Sequence, residues 1–294
     1  MNFKYYKGRY FINPLIGCEG KCIYCYLNEQ LKNKNIVRKN TKKVNEILKN
    51  ISCDSHFVPG AKGSIISIGS YCDIFPLHKI NLCLYSVEWI IECLKFGNPV
   101  QIISKNRISD EIIGKIARKV LYKNQLVYST TITTFKQYMQ IEKNTSTPIE
   151  RLKTLEKFEA FGIPTNVMIK PFINGITNLE TDNFITYLKK FKVRFCVIGD
   201  FYIVNDGIKK FIERADNQIN TLTTETILDC TETVDFETIK ILRNNPFYIK
   251  LKAAGIETFL KSSCVNSNIL NVPNRAYEYN VKNNFCVDCG LCSK

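Results

Sequence analysis

Only two histidines, His56 and His78, occur in 294 residues, alongside one tryptophan and three methionines. Neither histidine stands in a ligand spacing such as H-x3-H. Two isolated imidazoles do not assemble a Ser–His–Asp arrangement, so neither residue is assigned a role. No long uninterrupted apolar run is present, and no membrane-spanning helix is expected. The start, "MNFKYYKGRYF", lacks the apolar stretch of a signal peptide, which gives the expectation of a cytoplasmic protein with reduced thiols. There is no internal repeat, low-complexity linker or Gly-rich phosphate loop. Acids are scarce: 27 Asp+Glu face 41 Lys+Arg, for a formal net charge of +14.

That basic excess has two readings. Residues 1–50 hold 11 Lys or Arg and three acids, densest over Leu31 to Asn50, a distribution suited to nucleic-acid contact. It equally suits a solvated face, because the whole chain is rich in Lys, Asn and Ile.

Cysteine, by contrast, is abundant, with 13 residues. The stretch "NPLIGCEGKCIYCYL" (Asn13–Leu27) gathers Cys18, Cys22 and Cys25 in a C-x3-C-x2-C loop flanked by aromatics. Three thiols at that spacing fit half a zinc site, part of a disulfide, a chance grouping, or three ligands of a 4Fe–4S cube that leaves one iron open. In a reducing compartment, clustered cysteines read as metal ligands before bridges.

Apolar, β-branched or aromatic runs recur at Arg9–Asn13, Ser64–Ser70, Val100–Lys105, Leu126–Thr133, Thr165–Phe172 and Val193–Phe201. Being near-continuous, they read as strands covered on both faces. Helical patterns lie between them. Val87, Ile90, Ile91 and Leu94 recur at helical spacing. "TPIERLKTLEKFEAFG" carries Pro148 near its start, Leu152, Leu155 and Phe158 on one face, and Gly162 as a stop. This alternation gives an α/β parallel sheet curved into a partial or full barrel. The cysteine loop follows the first strand and so falls on the carboxyl edge, with Ser70–Asp73, Lys105, Thr133 and Lys170. Residues 1–205 form the expected core barrel, and 206–294 a less regular C-terminal extension.

"GCEGKCIYCY" resembles the cluster loop of radical SAM enzymes. "NPLIGCEGKCIYCYL", "SIGSYCDIFPLHKI", "VQIISKN", "STTITTF" and "IEKNTSTPIERLKTLEKFEAFGIPTNVMIKPFINGITN" are similar to its spore photoproduct lyase-like branch, over roughly Asn13 to Asn178. The resemblance implies a radical SAM partial (β/α)6 barrel. It also implies a 4Fe–4S cluster held by Cys18, Cys22 and Cys25, with S-adenosylmethionine (SAM) chelated on the open iron. An electron donor such as flavodoxin or ferredoxin would drive reductive cleavage to a 5′-deoxyadenosyl radical that abstracts hydrogen. Tyr24 would pack near the adenine, and Ser70, Asp73, Lys105 and Ser129 would line the SAM pocket. Lys105 has the chemistry to pair with the methionyl carboxylate, as has Arg151, whose other reading is a surface helix residue. Glu142 and Lys170 are further candidates. The branch's name-giving enzyme has a hydrogen-returning cysteine after its second strand. Here Ser70 stands at that place and Cys72 two residues on, so Cys72 is either a radical-quenching catalytic thiol or a small packing residue.

A second cysteine group ends the chain. Cys286, Cys289 and Cys292 form C-x2-C-x2-C, and Cys264, in a Ser- and Asn-rich stretch read as a loop, supplies a fourth thiol. Four thiolates fit a second, auxiliary 4Fe–4S cluster, with a four-cysteine zinc site as the alternative. Cys53, Cys83, Cys93, Cys196 and Cys230 read as packing residues. The functional expectation is therefore a radical SAM enzyme. Its substrate is a nucleic acid on the branch resemblance and the charge, or a peptide or small metabolite on the auxiliary cluster. A non-catalytic, zinc-stabilised binding protein is the alternative class.

Overall fold

The computed structural model describes residues 3–25, 27, 36–203, 206–215, 222–228 and 233–276. All six expected strands are present. They are β2 (Arg9–Ile12), β5 (Ile65–Ile68), β6 (Val100–Ser104), β7 (Leu126–Thr131), β8 (Thr165–Ile169) and β9 (Phe195–Ile198). With β1 (Lys4–Tyr6) and β13 (Glu257–Phe259) they form one eight-stranded sheet, ordered β1-β2-β5-β6-β7-β8-β9-β13. Every pair is parallel except the edge hairpin β1–β2. That hairpin turns through Lys7 and Gly8, both at positive φ (49° and 73°), as a tight two-residue turn requires. At Gly8 a side chain is excluded twice over, since a Cβ would lie 2.5 Å from the backbone of Arg275.

Helices α1 (Val44–Ser52), α2 (Ile80–Lys95), α3 (Asp110–Ala117), α5 (Pro148–Ala160), α6 (Thr181–Lys190) and α8 (Pro246–Ala253) connect the strands. The side-chain alternation of the strands explains why they look continuously apolar. Ile66, Ile68, Ile102, Tyr128, Val167, Ile169, Cys196 and Ile198 pack in the core shared with the helices. Their neighbours Ile65, Val127, Met168 and Val197 point the other way and pack with α9 (Ser262–Leu270). Helix α5 starts as expected, with Thr147 and Glu150 closing a capping box and Pro148 in the first turn.

The concave face is not purely apolar. Gln101 Oε1 accepts from Arg9 Nη1 (3.1 Å), Ser67 Oγ (3.0 Å) and Asn266 Nδ2 (2.7 Å). Its Nε2 donates to Ser129 Oγ (3.0 Å), which also receives Asn166 Nδ2 (2.9 Å). This polar layer crosses the sheet beneath the cysteine loop.

Smaller elements frame the carboxyl edge. The short pair β3 (Leu15–Ile16) and β4 (Arg38–Lys39) brackets the cysteine loop, and α4 (Tyr138–Ile141) precedes α5. Strands β10 (Phe201–Ile203), β11 (Leu222–Leu228) and β12 (Thr233–Ile239) form an antiparallel sheet in the order β10-β12-β11, with α7 (Asp206–Ala215) between β10 and β11.

Two expectations for the C-terminal region change. The chain beyond 205 is not simply an appendage, because β13 extends the main sheet by pairing with β9 and α9 packs against β7, β8 and β9. Cys264 lies within α9 rather than in a loop, its buried thiol among Val265, Ile269 and Val127. Cys230, Cys286, Cys289 and Cys292 lie outside the described residues. Cys83, Cys93 and Cys196 are buried as expected, whereas Cys53 is exposed.

Phe158 of α5 is fully buried and stacks on Tyr128 of β7 at 4.2 Å. Replacing Phe158 with Ala should cost about 3–5 kcal/mol in urea unfolding. A midpoint equal to wild type would show that this helix–sheet contact is not part of the cooperative core.

Candidate functional site

The cysteine loop is pinned to the segment ahead of α5. Ile23 N donates to Ile141 O (3.0 Å), Asn144 N donates to Gly20 O (3.2 Å), and Cys22 and Glu142 form an antiparallel bridge. Within the loop, Cys25 N donates to Cys22 O (3.2 Å). Cys18, Cys22 and Cys25 all line one cavity of about 330 Å³ at the carboxyl edge of the sheet. Gly20 leaves open the space beside two of the thiols, where a Cβ would sit 3.5 Å from Cys18 Sγ and 3.6 Å from Cys22 Sγ. Among the described residues, no three His, Cys, Asp or Glu side chains converge as around a single ion. Three thiols on one cavity are a donor set that fits a 4Fe–4S cube, one thiolate to each of three irons. Burial pushes the Cys18 thiol up to about 11, and it raises Cys22 against the opposing charge of Lys105. A bound cluster would have to offset that cost.

Lys105, the residue after β6, stands at the centre of a charged group beside the loop. Its Nζ lies 2.5 Å from Tyr24 Oη, 3.1 Å from Glu142 Oε1 and 3.3 Å from Cys22 Sγ. Tyr24 Oη also donates to Glu142. The other Glu142 oxygen pairs with Arg151 Nη1 at 2.6 Å, both side chains being fully buried. Burial opposes ionisation of Glu142, yet Arg151 and Lys105 hold its pKa down at about 2. Two cations share this one carboxylate, and Lys105 also faces the Cys22 sulfur.

The other expected residues divide into two groups. Ser70, Cys72, Asp73 and Tyr24 line the cavity with Lys105. Asp73 acts as a brace: its carboxylate accepts from Ser104 Oγ (2.7 Å), Phe75 N (3.0 Å) and Lys105 N (2.8 Å). Cys72 Sγ lies 3.7 Å from Asn13 Oδ1, just ahead of the cysteine loop.

Ser129 and Arg151 are not among the lining residues. Ser129 belongs to the polar layer, and Thr131, two residues along the same strand face, lines the cavity in its stead. Arg151 is neither a surface residue nor open to a ligand. Besides Glu142 it holds Ser146 O (2.8 Å), Thr131 O (2.7 Å) and Thr145 Oγ1 (2.5 Å). Lys170 lines the cavity from the end of β8, joined by Arg9, Asp200 and Lys261, which the sequence did not single out. Asp200 follows β9 and carries the same strand-end signal as Lys105. Arg9 and Lys261 carry none.

No family model matches the chain, and no curated protein matches it. Solved structures do. Spore photoproduct lyase complexed with dinucleoside spore photoproduct superposes with a TM-score of 0.60 at 15% identity, covering 87% of this chain and 78% of that one. A double mutant of that enzyme with bound AdoMet and dinucleoside spore photoproduct gives 0.58 at 16% identity, covering 88% and 79%. The chain therefore has the fold of spore photoproduct lyase, with its own cysteine loop on the carboxyl edge.

Replacing Glu142 with Gln should destabilise the protein by about 3 kcal/mol in urea unfolding, because Arg151 is left buried without its counter-charge. Combining Glu142→Leu with Arg151→Met should recover much of the loss. If the double variant is as unstable as the sum of its parts, the ion pair is not what the two residues supply.

Proposed function

We propose, from the fold shared with spore photoproduct lyase, that this protein is a radical SAM enzyme whose cluster is held by Cys18, Cys22 and Cys25. The observation that carries this reading is that the three thiols and Lys105 open onto one cavity at the carboxyl edge of the sheet. When bound, the cluster and SAM together supply an electron to the sulfonium and so a carbon radical able to take a hydrogen atom. Lys105 binds the methionyl carboxylate from the edge of the cavity, beside Cys22 Sγ and sharing Glu142 with Arg151. Asp73 fixes the Lys105 backbone and Tyr24 fixes its ammonium, so the donor is held before the ligand arrives. The Cys72 thiol faces the same cavity and is the proposed hydrogen donor back to the product. A flavodoxin- or ferredoxin-like protein supplies the electron.

For the substrate, the net charge of +14 and the fold of an enzyme that binds a dinucleoside lesion both favour a nucleic acid. No helix among the described residues is long and apolar enough to cross a membrane. A peptide or metabolite substrate rests on the C-terminal cysteines outside the described residues, and metal analysis addresses it. About four irons per chain fit the first cluster alone, and about eight would add a second.

Changing Cys22 to Ala should remove the cluster and abolish 5′-deoxyadenosine formation from SAM and reductant in anaerobic assays. Unchanged product in that variant would sink the radical SAM reading. Changing Lys105 to Met should leave iron content intact but weaken SAM binding by ~2 kcal/mol, about thirtyfold. Equal SAM affinity in the two proteins would remove Lys105 from the site.

A further inference from the structure

The cavity has a second charged end. Lys7, Arg9, Lys170 and Lys261 line it against one carboxylate, Asp200. Asp200 is already committed, accepting from Ile241 N and from Lys261 Nζ, each at 2.9 Å. Lys170 Nζ reaches the neutral Ser262 hydroxyl at 3.2 Å. Arg9 Nη1 donates to the neutral Gln101 amide, and its buried Nε has no hydrogen-bond partner. Among the described residues, neither cation has a carboxylate within ion-pairing distance.

The backbone is shaped to bring Lys170 there. A Cβ on Gly199 would lie 1.8 Å from Lys170 Cε, so the bare backbone after β9 is the track along which the lysine stem runs. Burial pulls the Lys170 pKa down to about 8, opposed by Asp200 and reinforced by Lys261, Arg9 and Lys7. Burial likewise lowers Arg9 to about 10. A cation withdrawn from water without a counter-charge costs stability, and two on one cavity are retained where a ligand brings the negative charge. At the other end Lys105 already has Glu142.

We propose that Arg9 and Lys170 form an oxyanion subsite that receives a phosphate or carboxylate group of the substrate, apart from the Lys105 end of the cavity. Naming that anion as the substrate's rests on the proposed function; the subsite itself does not.

The probe is inorganic phosphate, and then acetate, titrated into the anaerobically prepared, cluster-loaded protein at saturating SAM, with sodium chloride holding ionic strength constant. Thermal unfolding is the readout. Wild type should show a saturable rise in Tm. Lys170→Met and Lys170→Gln should have a higher Tm than wild type without the anion, and an anion response weaker by on the order of tenfold. Lys170→Arg should keep the response, and Lys189→Met, on the exposed side of α6, should match wild type. A response to phosphate alone identifies a phosphate-bearing substrate, and a response to acetate alone a carboxylate-bearing one; equal responses support a subsite that accepts either oxyanion. No saturable response to either anion, or an undiminished one in both neutral variants, overturns the proposal. So does a response seen only without SAM, which would assign these cations to SAM. 5′-Deoxyadenosine formation by wild type, read in parallel, tests the radical reading separately: if it fails while a saturable, Lys170-dependent anion response remains, the subsite stands and only its assignment to the substrate falls.

Discussion

The Glu142 carboxylate is the constraint on which the site depends. It is buried, a state tolerated only when opposite charge stands against it. Oε1 accepts from Tyr24 and pairs with Lys105, while Oε2, without a hydrogen-bond partner of good geometry, is ion-paired with Arg151. Its partners come from three places: Arg151 from α5, Lys105 from the end of β6, and Tyr24 from the cysteine loop. Backbone bonds from Ile141 and Asn144 tie the same loop to the same segment. The cysteine loop therefore cannot shift relative to the sheet without exposing a buried charge. Satisfying one carboxylate fixes where three thiols face.

Depth is set from below by a different device. The polar layer of Ser67, Gln101, Ser129 and Asn166 crosses the concave face, and Asn266 of α9 locks into it through Gln101. Apolar residues of α9 then cover Ile65 and Val127, at the starts of their strands. The amino half of the concave face is filled, and open volume remains at the carboxyl edge. Such a layer specifies how α9 seats, because a slip of the helix would break the bond from Asn266 Nδ2 to Gln101. It would leave more of the layer's buried polar atoms unpaired than the Asn166 and Asn266 Oδ1 atoms that already are.

What the sequence disclosed follows from the range of the interactions involved. Strands covered on both faces announce themselves by unbroken apolar runs, and α5 by its cap, because both signals are local. Lys105 and Asp73 were found because strand ends on the carboxyl edge are sequence-visible once the alternation is known. Helix α9 escaped because "SSCVNSNIL" is polar by composition yet buried nearly all round, so neither stripe nor hydropathy marks it. Ser129 illustrates a different limit. Alternation places it on the concave face correctly, but says nothing of height along the strand, and the cavity begins at Thr131. Arg151 reads as either a ligand-binding or a surface helix residue, and is neither once Glu142 is brought to it from the segment between α4 and α5. Arg9 and Lys261 are invisible for the same reason on a larger scale, being 252 positions apart in numbering and joined only by the closed fold.

The distribution of charge around the cavity suits hydrogen-atom transfer, on the proposed function. Removal of a hydrogen atom creates no net charge at the reacting carbon, so the reaction needs no charged group beside it. What it needs is position, since a radical reacts with whichever hydrogen lies nearest. Here the cations are segregated, with Lys105 at the cysteine end and Arg9 and Lys170 at the other. The inner-face residues Ile103, Thr131 and Met168, from β6, β7 and β8, supply neutral wall. Charged ends can anchor two ligands through their anionic groups in a low-dielectric enclosure, where each contact is strengthened. The uncharged wall between those ends adds no further charge beside the reacting carbon. In such a cavity specificity comes from the spacing of the anchors, and the chemistry from what that spacing brings together.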